Sequence, residues 1–331
     1  MHPLKGKRVL VTGADGFIGS HLVERLVDLG AEVCAFCLYN SQGSWGWLDD
    51  VSLDVQQVLD IRLGDIRDAA FVRESARGCD VVLHLAALIA IPYSYLAPES
   101  FVDTNVRGTL NILEAARACG VSRIVHTSTS EVYGTPATLP IRETHPLNAQ
   151  SPYAATKVAA DQLALSYHKS FQVPVVVLRP FNTYGPRQSA RAVLPTILAQ
   201  LLAGQQEIRL GKLDTRRDLT YVSDTVEGFI QAASVSGIEG ETIQLGTGKA
   251  ITIQEIFDAA CVVTGLNARA ILDERRLRPT SSEVQMLESD PSYAKDVLSW
   301  IPSVTIEEGI SRTIEWLRSH MEAYRPAQLQ I

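Results

Sequence analysis

The sequence predicts an α/β protein with a doubly wound parallel sheet and a smaller, loop-rich C-terminal lobe. Short apolar runs rich in Val, Ile and Leu alternate with helical patterns as far as Pro180, as expected for strands buried on both faces. The first run, at 8–12, leads directly into a glycine-rich turn and a helix. After Pro180 the composition changes, and prolines, glycines and aromatic residues occur among polar ones. We therefore expect a sheet domain at 1–180, joined by parts of 219–250, and a lobe at 181–331.

Composition and charge indicate a globular enzyme. The chain is 46% hydrophobic and 20% charged, and its formal net charge of -7 leaves no basic stripe for phosphates, so no nucleic-acid partner is expected. The apolar run near the N-terminus is too short for a signal core or a membrane span. Five cysteines scattered through apolar segments are typical of reduced thiols, which favours a cytoplasmic location. Cys34 and Cys37 would face opposite sides of a strand, so no metal site is expected.

A glycine-rich segment, TGADGFIG, follows the first strand and opens an amphipathic helix. Its glycines let the backbone turn tightly and approach a pyrophosphate, while the helix N-terminus favours negative charge. Strand, glycines and helix together predict a dinucleotide-binding domain of the Rossmann type. The expected cofactor contacts in this segment are Gly13, Asp15, Gly16, Phe17, Ile18 and Gly19.

The end of the second strand, at 32–38, bears on the choice between NAD and NADP. An acidic residue that binds the adenosine ribose is expected here in NAD-binding domains, but the chain has Cys37, Leu38 and Tyr39. No arginine is present there for a 2'-phosphate. Asp15 could face the same ribose and would repel that phosphate, so NAD is favoured and NADP is not excluded.

The next two strands end in residues suited to line a cofactor. Asp65 offers a carboxylate to the adenine amine, and Ile66 offers an aliphatic face to its ring. The strand CDVVLHLAA ends in Leu85, Ala86 and Ala87, whose small alanines let a cofactor lie close. His84 in the same strand is predicted to be a core histidine with its hydrogen bonds satisfied.

Proton-transfer groups gather around two later elements. Tyr153 and Lys157 lie four residues apart on a predicted helix, and an ammonium beside a phenol favours the ionised phenolate, which would make Tyr153 a base near neutral pH. Glu131 stands 22 residues before Tyr153, behind the hydroxyls of Thr127 to Ser130 at the end of a strand. A carboxylate, hydroxyls and a phenol at neighbouring element ends predict an acid-base site.

The C-terminal lobe combines short strands and helices. Thr252 and Glu255 have capping-box spacing at the start of one of these helices. Its predicted helices are 193–203, 224–233, 251–265, 291–298 and 306–318, and its predicted strands are 216–222 and 241–248. Arginine-rich segments at 216–217 and 275–278 suit a small phosphorylated ligand.

Together these motifs resemble the extended short-chain dehydrogenase/reductases, specifically the nucleotide-sugar epimerase/dehydratase group. The resemblance covers nearly the whole chain and is carried by TGADGFIG, the DI pair at 65, HLAA at 84, N-x-x-G-T at 105, Y-x-x-x-K at 153, RPFNTYGPRQ and RDLTYV. It implies a bound nicotinamide cofactor and a nucleoside-diphosphate sugar as substrate, with Tyr153 as base and Lys157 on the nicotinamide ribose. It also implies cofactor contacts at Asn105, Thr127 and Pro180.

Within this group, Thr129-Ser130-Glu131 resembles the 4,6-dehydratases, because sugar 4-epimerases usually carry Ser-x-x-x-Val-Tyr-Gly without an acid. UDP-glucuronate decarboxylases also have Thr-Ser-Glu, but their tyrosine motif differs and their arginine for the sugar carboxylate is not identified here. Segments such as LYNSQGSWGWLDD and LHLAALIAIPYSY look most like LegB-type dehydratases of legionaminic acid biosynthesis, which act on UDP- or GDP-linked N-acetylglucosamine. The implied catalytic residues are Thr129, Ser130, Glu131, Tyr153 and Lys157.

Substrate contacts are expected on both sides of the cleft. Arg217 and Arg278 would bind the diphosphate, and Asn182 a sugar or phosphate oxygen. The further expected contacts are Val193 near the base and Tyr93 and Ser94 near the sugar. Each of these residues has an alternative interpretation as a surface charge, a loop cap or an ordinary structural residue.

Other functions and the assembly remain open at this stage. A 4-epimerase, a decarboxylase or a non-catalytic cofactor-sensing protein would use the same scaffold. The resemblance also implies a homodimer through a four-helix interface built from the helices at 98–120 and 151–170.

Overall fold

The structure is a computed structural model that describes residues 2–326. In chain order the strands are β1 (Arg8–Thr12), β2 (Glu32–Leu38), β3 (Asp60–Gly64), β4 (Val81–His84), β5 (Arg123–Thr127), β6 (Val175–Pro180), β7 (Asn182–Tyr184), β8 (Glu207–Leu210), β9 (Arg216–Tyr221), β10 (Thr242–Leu245), β11 (Ala250–Thr252), β12 (Arg269–Leu272) and β13 (Met286–Leu287). The α-helices are α1 (Phe17–Asp28), α2 (Leu53–Val58), α3 (Ala69–Ala76), α4 (Ile91–Leu96), α5 (Pro98–Phe101), α6 (Gly108–Cys119), α7 (Pro152–Phe171), α8 (Val193–Leu202), α9 (Val222–Ser234), α10 (Ile253–Thr264), α11 (Ser292–Leu298) and α12 (Ile306–Ser319). Residue 1 and residues 327–331 of the predicted domains lie outside the described residues.

Seven strands form one parallel sheet in the order β10-β6-β5-β4-β1-β2-β3. Successive side chains of these strands enter two separate cores. Leu10 and Val82 pack on the face covered by α3, α6 and α7, while Val11 and Leu83 pack on the face covered by α1 and α9. The predicted doubly wound Rossmann-type sheet is confirmed, because both faces of every central strand are buried.

Strand β10 comes from residues beyond 180. It pairs in parallel with β6, so that Gln244 lies beside Arg179 and Leu245 beside Pro180. This strand falls inside the segment 219–250 that the sequence analysis joined to the sheet. The division of the chain into two domains at residue 180 stays a prediction.

The C-terminal lobe contains smaller sheets beside its helices. β9 lies between β11 and β13 and also pairs with β7, while β8 pairs with β12. Helix α10 begins as predicted, because Thr252 Oγ1 accepts a hydrogen bond from Glu255 N at 3.0 Å and Glu255 Oε2 accepts one from Thr252 N at 2.6 Å.

The helix expected at 98–120 has a different internal form. α5 and α6 are joined by a π-helical segment at Val102–Arg107, and Gly120 ends α6 in the left-handed conformation. The wide turn carries Asn105 into the protein, where Asn105 Nδ2 donates to Leu88 O at 2.9 Å. The π-segment is only 6 residues long, too short to show a period different from that of the helices on either side, so the helical pattern did not reveal it.

Cys34 and Cys37 belong to the cores on opposite faces of the sheet, as predicted, and all five cysteines are free thiols. Between residues 2 and 326, no cluster of three or more His, Cys, Asp or Glu residues is arranged to hold a metal ion. Within the same range, no helix combines the length and the apolar character that crossing a membrane requires.

Candidate active site

The candidate site lies at the carboxyl ends of β1, β4, β5 and β6. Between β1 and β4 the strand order reverses, and ligands of doubly wound sheets bind at this point. The glycine loop follows β1, the predicted small residues follow β4, and the hydroxyl run follows β5. The topology therefore brings the predicted cofactor and catalytic segments to one edge.

The glycine loop forms a cradle that side chains would fill. A Cβ on Gly19 would lie 2.0 Å from Gly13 O, and one on Gly13, where φ is +69°, would lie 2.9 Å from Ala86 N. Helix α1 starts at Phe17, and Gly16 at its N-cap position provides no side chain to cover the first amides. Open backbone amides at a helix N-terminus fit a pyrophosphate, so this loop fits a dinucleotide.

Asp15 lies between the glycine loop and the end of β2. Its Oδ2 accepts a hydrogen bond from Leu38 N at 3.1 Å, and its carbonyl accepts one from Trp47 N at 3.0 Å. Burial raises the pKa of Asp15, and the bond from Leu38 N partly offsets this rise. A carboxylate therefore stands next to the strand end where an acidic residue is missing.

The strand ends around the cradle are held by Thr12. Its Oγ1 accepts hydrogen bonds from Leu85 N at 3.1 Å and Ala86 N at 3.2 Å, which fixes the start of the segment 85–87. His84 is buried, with Nδ1 2.8 Å from Thr12 Oγ1 and Nε2 3.2 Å from Thr109 Oγ1, so its prediction as a satisfied core histidine is confirmed.

The adenine-side residues have partners within the chain. Asp65 Oδ2 lies 2.6 Å from Arg67 Nη2. Ile66 is buried against Gly108, and a Cβ added to Gly108 would lie 2.8 Å from Ile66 Cγ2. Asn105 is 1% exposed, and its Oδ1 accepts from Leu88 N at 2.8 Å. Asn105 thus shapes the loop after Ala87 instead of reaching a ligand, and the structure does not support the implied direct contact.

Helix α7 carries the predicted base. Ser151 caps it by accepting a hydrogen bond from Ala154 N at 3.1 Å, which places Tyr153 in the first turn and Lys157 in the second. Both side chains are buried, and Lys157 Nζ donates to Thr127 O at 2.5 Å. Thr127 Oγ1 is buried without a hydrogen-bond partner among the described residues, as expected for an atom that meets a ligand.

The acid-base properties of the pair differ from those predicted. Burial raises the pKa of Tyr153 above its ordinary value, a hydrogen bond with Thr129 lowers it, and the Glu131 carboxylate raises it further. Burial lowers the pKa of Lys157 to about 8, although Asp161 opposes this change. The expectation that the neighbouring ammonium by itself brings the phenol close to neutral pH is wrong, because desolvation of the phenolate dominates.

The Thr129-Ser130-Glu131 motif lies next to this pair. Thr129 Oγ1 accepts a hydrogen bond from Glu131 N at 3.2 Å and caps a 3₁₀ helix at Ser130–Tyr133. Ser130 is only 3% exposed, whereas Glu131 Oε1 faces the C-terminal lobe and lies 3.7 Å from Arg278 Nη1. The motif therefore places one hydroxyl and one carboxylate beside the phenol.

The two predicted diphosphate arginines converge on Glu283, which the sequence analysis did not single out. Arg278 Nη1 lies 3.9 Å from Glu283 Oε1, and Arg217 Nη2 lies 3.4 Å from it. Arg217 is 6% exposed and also donates to Val284 O at 2.9 Å, so it mainly holds the segment. Arg278 Nη1 has no hydrogen-bond partner among the described residues, so it is the better placed of the two for a ligand.

The remaining substrate predictions divide. Asn182 Oδ1 is buried without a hydrogen-bond partner in the described part of the chain, and Val193 begins α8. Tyr93 is 37% exposed, and its ring packs on Phe101. Ser94 is fully buried and donates to Ile91 O at 2.7 Å, so its prediction as a sugar contact is wrong: the hydroxyl is used within its own helix.

The last three predicted cofactor residues lie at the ends of elements on the same edge of the sheet. Phe17 and Ile18 start α1 beside the cradle and are half-buried, and Pro180 ends β6 as a buried residue. Sequence reasoning missed Asp161 on α7 and Arg179 on β6, which are both buried. Asp161 follows Lys157 by four residues, so the same spacing that paired Tyr153 with Lys157 pointed to it.

Comparisons with known proteins agree with this geometry. The family model described as GDP-mannose 4,6 dehydratase matches residues 10–313. A UDP-glucose 4-epimerase of Mycolicibacterium smegmatis is 34% identical over 319 residues, which cover 94% of this chain and 99% of the relative. A dTDP-glucose 4,6-dehydratase of Streptomyces antibioticus is 34% identical over 322 residues, which cover 96% of this chain and 94% of the relative. The crystal structure of DesIV, a dTDP-glucose 4,6-dehydratase from Streptomyces venezuelae solved with NAD bound, has a TM-score of 0.86 at 29% identity and covers 97% of this chain and 100% of that chain.

Proposed function

We propose, from the premise that this chain belongs to the extended short-chain dehydrogenase/reductase family of nucleotide-sugar dehydratases and epimerases, that it is a nucleotide-sugar 4,6-dehydratase. The substrate would be N-acetylglucosamine linked to UDP or GDP, and the product its 4-keto-6-deoxy sugar, in legionaminic acid biosynthesis. The observation that carries the proposal is the Glu131 carboxylate beside Tyr153, because an epimerase needs no second acid-base group there.

The proposed cofactor is NAD, held by the Gly13–Gly19 cradle, the segment 85–87, Thr127 and Lys157. When bound, it supplies the acceptor for a hydride from C4, the donor of a hydride to C6, and a positive charge that favours the phenolate of Tyr153. Asp15 beside the end of β2 supports NAD over NADP, since its carboxylate would repel a 2'-phosphate.

Tyr153 takes the proton of the sugar 4-hydroxyl, and Thr129 hydrogen-bonds the same oxygen. Thr129 accepts from Glu131 N, so its own hydroxyl hydrogen is free to be donated towards Tyr153 and the substrate. Lys157, whose ammonium is fixed by the bond to Thr127 O, would bind the nicotinamide ribose. The result of this step is a 4-ketone.

Glu131 acts next, because the 4-ketone makes the C5 hydrogen acidic. Its carboxylate removes the C5 proton, and the C6 hydroxyl leaves as water after receiving a proton. We assign that proton to Glu131 itself rather than to a relay through Ser130, since the Ser130 side chain is buried. A solvent proton then adds to C5, and Tyr153 releases to solvent the proton that it took from the 4-hydroxyl. One water is thus lost, and the sugar is neither oxidised nor reduced overall.

Substrate binding would use the lobe side of the cleft. Arg278, between Glu131 and Glu283, would bind the diphosphate, and Arg217 would position the segment that carries it. Asn182, with its unpaired Oδ1, would bind a sugar or phosphate oxygen. Val193 would line the base and Tyr93 the sugar.

A product screen tests the proposed function. Purified protein is incubated with UDP-, GDP- and dTDP-linked sugars in deuterated water, and the products are analysed by mass spectrometry. A dehydratase product has lost one water and carries solvent deuterium at C5. Turnover without loss of water from any sugar would contradict the proposal.

A 4-epimerase is the second candidate, and its support is the 34% identity to a UDP-glucose 4-epimerase. In the same screen its product would keep the substrate mass, gain no deuterium at C5 and be separated from the substrate by chromatography. A decarboxylase would release carbon dioxide from a UDP-uronic acid; Arg278 beside Glu131 supplies a cation for such a carboxylate. A cofactor-sensing protein would give no turnover with any of these sugars.

We also propose a homodimer in the cytoplasm. Helices α6 and α7 pack against each other. Val102 in the π-segment before α6 and Phe171 at the end of α7 leave 50% and 49% of their surfaces exposed. Two such pairs would form the four-helix interface. Sedimentation at several concentrations should give twice the monomer mass, and a monomer throughout would exclude this assembly. The free cysteines fit a reducing compartment.

A further inference from the structure

A polar layer lies beneath helix α7, on a sheet face that is otherwise apolar. Thr12, His84, His126 and Arg179 come from β1, β4, β5 and β6, and each is at most 3% exposed. They alternate with the residues that point to the opposite core, so all four face α6 and α7. Buried polar groups need hydrogen-bond partners, and α7 lies above these four residues, where it can supply one.

The partner from that helix is Asp161, which is fully buried one turn after Lys157. Its Oδ2 accepts hydrogen bonds from Ser128 Oγ at 2.6 Å and from Arg179 Nη2 at 3.0 Å. Its Oδ1 lies 3.2 Å from His126 Nε2. One carboxylate on α7 is thus tied to the ends of both β5 and β6.

The same network reaches the segment that bears the second acid-base group. Arg179 Nη1 donates to the Tyr133 hydroxyl at 3.1 Å, and this hydroxyl donates to Gln244 Oε1 at 3.2 Å. Tyr133 ends the 3₁₀ helix that contains Glu131. Movement of Asp161 would therefore displace both α7, which carries Tyr153, and the 3₁₀ helix, which carries Glu131.

We infer that Asp161 is a positioning residue, which seats Tyr153 and Lys157 against the ends of β5 and β6. This inference rests on the proposed reaction, because it assigns Asp161 a task in that chemistry. A buried ion pair with Arg179 adds little net stability over apolar packing, so a functional role accounts better for its presence in the core.

The electrostatic balance agrees with this role. Burial alone would raise the pKa of Asp161, but the neighbouring His126, the charge of Arg179 and the hydrogen bond from Ser128 hold it below its ordinary value, so the group is a carboxylate. That carboxylate raises the pKa of Lys157 against the effect of burial, and it also raises the pKa of Tyr153. The other titratable or charged groups around this pair are His84 on β4, His126 on β5, Arg179 on β6, and Glu131 and Tyr133 on the 3₁₀ helix.

The test compares the full-length protein with Asp161→Asn, which keeps the shape and removes the charge. We expect kcat for the nucleotide sugar to fall by about 10- to 100-fold with KM little changed, because the reacting groups lose their alignment. Both limbs of the pH profile of kcat should move to lower pH by about one unit, since Lys157 and Tyr153 both lose the carboxylate that raises their pKa. The pH above which NAD affinity weakens should move in the same direction, and this readout does not require turnover.

A second variant protects the test against misfolding. Asp161→Asn alone leaves Arg179 buried without its counter-ion, which is strongly destabilising. Asp161→Asn combined with Arg179→Gln removes both charges together and should show the same movement of the pH profile. Thermal unfolding establishes that each variant is folded.

Asp224→Asn is the matched control. Asp224 is also a buried carboxylate, and it accepts hydrogen bonds from Ser303 Oγ at 2.9 Å and Val304 N at 3.1 Å, away from α7. This variant should lose stability and keep the wild-type pH profile.

Two different failures can be told apart. If kcat falls but the pH dependence of kcat and of NAD affinity in both Asp161 variants is the same as in the wild type, Asp161 is merely structural and the inference is overturned. If the wild-type protein releases no water but epimerises a sugar, the proposed function fails, and the same comparison is made on epimerisation, which also begins at C4 with Tyr153. If nothing turns over, the pH dependence of NAD affinity alone decides.

Discussion

Glu131 separates the two halves of the proposed reaction, because oxidation at C4 requires Tyr153 but not the carboxylate. Glu131→Gln should therefore still form reduced cofactor from a nucleotide sugar. Loss of water should slow by about 10²- to 10⁴-fold, the usual contribution of a general acid-base group. Single-turnover absorbance measures the formation of reduced cofactor, and mass spectrometry measures the loss of water from the nucleotide sugar.

Glu74→Gln is the control for this substitution. Glu74 is an exposed residue of α3 whose carboxylate pairs with Arg77 at 3.1 Å. It should keep the wild-type rate. Wild-type water loss in Glu131→Gln would remove Glu131 from the mechanism.

Lys157 should make stability depend on pH. Its pKa is about 8 in the folded protein against an ordinary value of 10.5, so folding is penalised while Lys157 is charged in both states. The penalty is fully present below about pH 8 and disappears as the pH rises towards 10.5, and at about 1.4 kcal/mol per pH unit it amounts to at most about 3 kcal/mol.

Lys157→Met should thus be inactive but more stable than the wild type at pH 7, and the difference in unfolding free energy should shrink by pH 9.5. Urea unfolding at the two pH values measures this. Lys169→Met, on the exposed side of the same helix, should leave the difference near zero. If Lys157→Met is less stable than the wild type at both pH values, other interactions of the ammonium offset the cost of burying it.

At this scale the sequence predicted residue types better than their environments. The spacing of Tyr153, Lys157 and Glu131 was sufficient to bring the three together. The raised pKa of Tyr153 was not predictable, because it depends on desolvation by residues distant in sequence. Ser94 was misassigned since a serine hydroxyl in a helix can bond to its own backbone instead of a ligand.

Helix α7 links an ordinary capping interaction to the chemistry. Ser151→Ala removes the bond to Ala154 N and should destabilise the protein by about 1 kcal/mol. Because Tyr153 lies in the first turn, kcat should also fall several-fold. Chemical unfolding and steady-state kinetics measure the two effects separately.

Ser52→Ala provides a matched comparison, since Ser52 caps α2 by accepting from Val55 N at 3.4 Å. It should lose a similar or smaller amount of stability without any change in kcat. Equal kinetic effects from the two variants would mean that the α7 cap has no special connection with Tyr153.

Elements were predictable where the chain alone determines them. The central strands are apolar on both faces, and α7, α10 and α12 begin at capping side chains, so their positions follow from local sequence. β7, β8, β12 and β13 are two to four residues long, too short to show a period, and they exist because they pair with β9 or with each other. The π-segment in front of α6 escaped for the same reason.

Across the whole molecule, a short chain of hydrogen bonds joins the cofactor side to the segment that bears Arg278. The Tyr95 hydroxyl on α4 lies 2.6 Å from Ser282 Oγ, which donates to Gln150 O at 2.6 Å. Gln150 Nε2 in turn donates to Ser281 O at 3.1 Å. These bonds hold the segment over the proposed sugar site.

Tyr95→Phe should loosen this connection and raise KM for the nucleotide sugar about fivefold, the equivalent of one hydrogen bond of about 1 kcal/mol, with kcat unchanged. Tyr167→Phe is the control, because its hydroxyl donates to Glu114 at the far end of α7. Initial-rate kinetics decide the matter: an unchanged KM in Tyr95→Phe would show that the segment is held without this bond.

The position of β10 has a consequence for how the protein is made. The sheet that carries the cofactor cradle stays one strand short until residue 245 has left the ribosome, after much of the C-terminal lobe has been synthesised. Until then β6 presents an unpaired edge, which is a template for association with other chains. A fragment cut at residue 180 would keep that edge permanently, so the second half of the chain also protects the sheet against association with other chains.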